Sequence, residues 1–164
     1  MSSAKEAIKS QYFAALEMLR QAILSCPDSL WTSPEHENQF WHVAYHVLFY
    51  THFYLHPSEK EYIPWDKHKD EYVSLGDPRK WVEKVEPFGR GEVLAYLELC
   101  LYQMESLVDA LHLEAESGFY WLPFTKLELQ IYNLRHLQQH TGELCERLTT
   151  SGAAEVEWVG MLPV

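Results

Sequence analysis

The chain has 164 residues, 47% of them hydrophobic and 23% charged, with only 7 Gly and 8 Pro. This composition predicts one globular domain over 1–164 and excludes a disordered chain. The net charge of -11 argues against nucleic acid as a partner, because affinity for a phosphate backbone comes from Lys and Arg that release counterions. Cys26, Cys100 and Cys145 are odd in number and far apart with no C-x-x-C, so neither a disulfide scaffold nor a zinc ribbon is expected and a cytoplasmic location fits best.

The opening "MSSAKEAIKSQYFAALEMLRQA" mixes charges with apolar residues and lacks the apolar core of a secretory signal. Over about 4–25, Ile8, Tyr12, Ala15, Leu16, Leu19 and Ile23 recur at three- and four-residue spacing, which predicts a first amphipathic helix. Pro27 and Pro34 then interrupt helical bonding, and Ser33 as N-cap with Pro34 at the first helical position predicts a second helix over about 35–56. That helix is apolar nearly all round, so it is expected to be central in a bundle or to line a subunit interface as well. Its most apolar run, "FWHVAYHVLFYTHFYL", is 16 residues long and carries three histidines, short of the roughly 20 apolar residues that a membrane span requires.

Residues 57–88 form a connection rich in Pro, charge and aromatics, to which no element is assigned although a short helical piece near 78–84 is compatible with the sequence. Its length suffices to cross a whole helix and let the next one run parallel to the second. Val93, Leu94, Leu97, Leu101, Met104, Leu107, Val108 and Leu111 predict a third helix over about 91–113. A fourth, over about 125–149, begins with Thr125 as N-cap and Glu128 three residues on, and ends before Ser151-Gly152. Four long helices without convincing strands predict an all-α four-helix bundle. The tail "AAEVEWVGMLPV" is expected either as an extended strap or as a short strand.

The nine histidines carry the functional information. His136 and His140 stand four apart in the fourth helix, at the edge of its apolar arc, close enough for two imidazoles to reach one ion. Alone, such a pair is as readily two surface residues. The second helix adds its own pair, His42 and His46, in surroundings where a buried imidazole needs a partner. His46 lies near the middle of its helix, at the depth of His136 and His140 in theirs, so the three imidazoles are expected to converge. Three nitrogens plus an open position make a catalytic rather than a closed structural site, and Zn, Ni, Fe or Mn would suit such ligands equally. His42, one turn nearer the helix start, is expected beside the ligands or bonded elsewhere. His52 and His56 point away from His46 and are expected at the surface or an interface, and His36, His68 and His112 in solvent.

Other chemistries lack their motifs. The H-E-x-x-H peptidase helix, Glu-x-x-His, the phosphate-binding glycine loops and G-x-S-x-G are all missing. Cys145 faces the core on the wheel and is expected to be a small buried residue rather than a nucleophile.

"FWHVAYHVLFYTHFYL", followed some 80 residues later by "FTKLELQIYNLRHLQQHTGEL", resembles the DinB/YfiT-like superfamily of metalloenzymes, and does so over nearly the whole chain in helix order and spacing. The resemblance implies a four-helix bundle in up-down-down-up order, a divalent metal held by His46, His136 and His140, and a homodimer. It also implies a small-molecule partner, in some relatives a low-molecular-weight thiol such as mycothiol, bacillithiol or glutathione, which the metal activates as thiolate.

Two functions are therefore expected to compete. One is a metal-dependent transferase or hydrolase that activates a thiol or water, with Glu143 supporting the ligands or moving a proton; aromatics such as Tyr12, Trp41, Tyr45 and Tyr50 are near enough to shape a pocket, although core packing is the readier expectation for any one of them. The other is a non-catalytic metal-binding or interaction module in which a fourth protein ligand closes the site.

Overall fold

The computed structural model describes residues 3–76 and 86–162. It is all-α, with four long helices and no strand among the described residues. Helix α1 (Ala4–Ser25) starts on a reciprocal cap, in which Ser3 Oγ accepts from the Glu6 N–H and the Glu6 carboxylate accepts from the Ser3 N–H. Pro27 then stands before the single turn α2 (Asp28–Trp31).

Helix α3 (Phe40–Leu55) starts five residues later than the Ser33-Pro34 signal predicts. Ser33 Oγ accepts instead from the Glu35 N–H two residues on, a local turn that competes with helix initiation. Gln39 is the residue before the first helical turn. Every α3 residue except Tyr50 is buried.

Helix α4 (Arg90–Ala110) and helix α5 (Lys126–Thr150) match the third and fourth expected helices to within a few residues. Thr125 Oγ1 caps α5 by accepting from the Glu128 N–H. The helix closes on Gly152, whose φ of +73° suits a residue without Cβ, and the Ala153 N–H reaches back to the Leu148 carbonyl.

Both α1 and α3 pack along α4 and α5, with α2 and the second of two 3-10 turns, Glu59–Glu61 and Asp70–Tyr72, completing the cover of α3. The apolar circumference of α3 is thus satisfied within the chain, and its burial requires no second copy. The connection from 56 to 76 is irregular apart from these turns, while the short helical piece compatible with 78–84 lies outside the described residues. Of the two forms open to the tail, the strap is observed. Residues 153–162 run along α1, where the Glu157 N–H donates to Gln21 Oε1 and Gln11 Nε2 donates to the Gly160 carbonyl. No described helix is long and apolar enough to cross a membrane.

Candidate metal centre

His46 projects from the middle of α3, and His136 and His140 project from successive turns of α5. Helices α3 and α5 pack against each other, so the three rings meet between them. Their centroids form a nearly regular triangle: 5.1 Å between His46 and His136, 4.9 Å between His46 and His140, and 4.7 Å between His136 and His140. One nitrogen from each lies within 4.8 Å of the other two. His46 Nε2 and His136 Nε2 are 3.1 Å apart, close to the roughly 3.3 Å between two nitrogens that share a tetrahedral zinc at its usual bond length.

The neighbours of two rings decide which nitrogen each can offer. The Val73 carbonyl, 2.6 Å from His46 Nδ1, is only an acceptor, so Nδ1 carries the proton and Nε2 carries the lone pair that faces His136. His140 Nδ1 donates to Glu143 Oε2 at 3.0 Å, which leaves its Nε2 as the free donor atom. Holding the far N–H of a ligating imidazole in this way sets its tautomer and raises its basicity. The third ring is less provided for, since His136 Nδ1 is buried with no hydrogen-bond partner among the described residues. Burial pushes the pKa of His46 down to about 3 and that of His136 to about 4. Both rings are therefore neutral at neutral pH, the form that binds a metal. Three imidazoles converging in this way, two of them with their outer nitrogens fixed, fit a divalent cation.

The support of His140 extends further than the sequence discloses. Glu143 is held ionised, first by its bond with His140 and then by the charge of Arg147. Arg147 donates to Glu143 Oε1 through one guanidinium nitrogen and to the Asn38 carbonyl through another, at 2.7 Å for the latter. Asn38 Oδ1 in turn accepts from the Gly76 N–H. The segment before α3 and the connection that follows α3 are thereby tied to one ligand.

His42 does not join the cluster. It is buried, and its Nε2 donates to the Tyr72 carbonyl at 2.9 Å. His42 and His46 thus hold two consecutive carbonyls of the long connection, and His42 serves the site by fixing the strand of chain that carries Val73.

His112 is exposed as expected, whereas three other histidines correct the expectation. His52 and His56 are buried rather than superficial: His52 lies between the Tyr96 hydroxyl and Gln103 Oε1, and His56 Nδ1 donates to the His52 carbonyl. His68 is mostly enclosed and pairs with the Tyr45 hydroxyl and Asp70. The connection, which supplies Tyr62 and His68, covers this face of α3. Cys145 is half-buried with its thiol pKa pushed up by desolvation, in keeping with an inert packing role.

A cleft of about 330 Å³ opens beside the histidines. His46 and His136 form part of its wall, with Tyr50, Tyr54, Trp121, Leu122 and Tyr132. Of the four aromatics weighed between pocket and core, Tyr50 lines the cleft and the other three pack in the core. Tyr12, Trp41 and Tyr45 are fully buried in the core, where the Tyr12 hydroxyl donates to Gln130. A larger surface groove, of about 680 Å³, follows residues 114–125 and includes none of the three histidines. Comparison of the chain with protein families, with curated proteins and with solved structures finds no match.

Proposed function

We propose that this chain is a divalent-metal enzyme of the DinB/YfiT-like type, a four-helix bundle in up-down-down-up order that activates a thiol or a water at a three-histidine site. The observation that carries the reading is the convergence of His46, His136 and His140 with two outer nitrogens already committed to Val73 and Glu143. The packing of both α1 and α3 against α4 and α5, with a long connection after α3, supports the helix order.

Bound to these nitrogens, a divalent ion supplies Lewis-acid charge that lowers the pKa of a water or thiol in an open position. The protein does the rest. The Val73 carbonyl and Glu143 hold the protons of His46 and His140 on Nδ1, so that both Nε2 atoms remain donors. The walls of the cleft orient a small molecule and thin the water around it. Among the described residues no fourth His, Cys, Asp or Glu joins the three, and the cleft reaches two of them. Both observations favour an enzyme over a closed structural module.

Elemental analysis tests the reading. Native protein is expected to carry stoichiometric divalent metal that His136→Ala and His140→Ala lose, and equal, near-zero metal in all three would overturn it. Absence of both thiol-transfer and hydrolytic turnover by the metal-restored protein across a broad panel would return the site to the non-catalytic reading.

A further inference from the structure

The wall of the cleft has an uneven chemistry. Tyr50 meets His46 at 4.9 Å and His136 at 5.4 Å between ring centroids, so an aromatic surface begins directly at two of the three histidines. It continues through Tyr54, 5.5 Å from Tyr50, to Tyr132, 6.0 Å from Tyr54. Trp121 closes the far side, 39% exposed and parallel to Phe53 within 11°. Among the described residues, no Asp, Glu, Lys or Arg lines the cleft. Arg135, whose guanidinium lies 6.0 Å from the Tyr132 ring, is exposed and is not part of the wall.

Trp121 is held in place by a built loop. Lys126 is buried and donates from Nζ to the carbonyls of His56, Pro57 and Ser117. Gly118, at φ +83°, lies so close to the Pro57 carbonyl that a Cβ there would fall 2.0 Å from its oxygen. Phe119 is buried against Phe53 and Tyr54 and anchors the residues on either side of it. The aromatic wall is thereby set before a ligand arrives, which lowers the entropy cost of binding.

We infer that the cleft selects an uncharged ligand with one flat aromatic or apolar ring, seated among Tyr50, Tyr54, Tyr132 and Trp121 with its reactive head toward the three histidines. This inference rests on the metal reading above and gives it a substrate class. An anionic ligand such as a carboxylated thiol peptide would shed its hydration against a wall that returns no countercharge. The volume, at the lower end of the roughly 300–1,000 Å³ usual for ligand pockets, suits one ring with a short head.

The test uses the whole chain loaded with Co(II), whose visible absorption reports occupancy of the histidine site. Three hydroxamates that share one metal-binding head are titrated by calorimetry and by the Co(II) spectrum: benzohydroxamate, acetohydroxamate, and the carboxylate-bearing monohydroxamate of succinic acid. Benzohydroxamate is expected to bind at least about tenfold tighter than acetohydroxamate, from stacking and apolar burial, and the succinic compound no tighter than acetohydroxamate. Trp121→Ala should remove most of that preference with Co(II) stoichiometry unchanged, and Trp121→Phe should retain it, which separates loss of the ring from damage to the loop. Failure to take up Co(II) overturns the metal reading and this inference together. Uptake with equal affinity for the benzo and aceto compounds, or with the anionic compound tightest, overturns this inference alone.

Discussion

Helix α3 buries two groups of histidines on different sides and puts them to opposite use. On the side toward α5, His46 gives one nitrogen to the Val73 carbonyl and turns the other toward His136 and His140. On the side toward α4, His52 has both nitrogens occupied, by the Tyr96 hydroxyl and by Gln103. Both rings are buried, and burial depresses both pKa values. Burial alone therefore does not mark a ligand. What marks it is a second nitrogen that protein groups leave to other imidazoles, since a fully satisfied histidine has nothing to offer an ion without breaking a bond worth about 1 kcal/mol or more.

The sharpest way to break this comparison is to remove one ring from each side. His46→Ala is expected to lower metal affinity by more than the roughly 10- to 100-fold that outer partners of a ligand carry. His52→Ala should leave metal content at the native level and cost about 2–3 kcal/mol of stability, because it opens a cavity beside the buried Tyr96 and removes a hydrogen-bond partner of Tyr96 and of half-buried Gln103. Metal analysis and urea unfolding of both variants check this. Equal metal loss in the two would show that the sides are not functionally distinct.

Acid probes the shared burial. The unfolded chain protonates an imidazole near pH 6.5, whereas folded His52 resists until about 4. Below 6.5 the unfolded state binds the extra proton, so stability is at its plateau above that pH and falls as pH drops toward 4, by about 3 kcal/mol for this one group. His46 and His136 act in the same direction in the metal-free protein. Metal-free His52→Gln should lose less stability than native protein between pH 7.5 and 4.5, as measured by urea melts. An unchanged slope would mean that His52 is not held neutral by burial.

Glu143 tests the support of the ligands at a smaller scale. Glu143→Gln keeps an oxygen for His140 Nδ1 but discards the charge, and a loss of about tenfold in metal affinity is expected from chelator competition. The corresponding change beside the other group, Gln103→Ala, should leave that affinity untouched.

The contrast between the two sides also explains which features the sequence discloses. Helical periodicity places His136 and His140 on one face and His46 at matching depth, and the same periodicity outlines all four long helices. It gives the direction in which His52 and His56 point but not what lies there. The covering layer, with Tyr62 and His68, comes from an irregular connection whose path has no period to read. The N-cap of α3 escapes for a related reason, because Ser33 and Pro34 make as good a turn as a helix start. Val73 acts through its carbonyl, which every residue possesses, and therefore leaves no mark in its side chain. Trp121 and Tyr132 join one wall only after the loop at 112–125 folds back on α3. Glu143 is legible one turn after His140, but Arg147 is not, since its role depends on reaching Asn38 more than a hundred residues away.

Arg147 carries the smallest effect and the most specific one. Its guanidinium serves Glu143 with one nitrogen and the Asn38 carbonyl with another, and a lysine ammonium, a single point on a flexible stem, does not hold both in fixed geometry. Arg147→Lys is expected to weaken metal binding only a few-fold, about 1 kcal/mol or less, because Glu143 keeps its charge and its bond to His140. If Arg147 acts on the metal through Glu143 alone, adding Arg147→Lys to Glu143→Gln should cost nothing further, since groups in one chain of hydrogen bonds are not additive. A double variant weaker than Glu143→Gln by the full factor of Arg147→Lys would place the arginine's influence elsewhere, in its hold on the segment before α3.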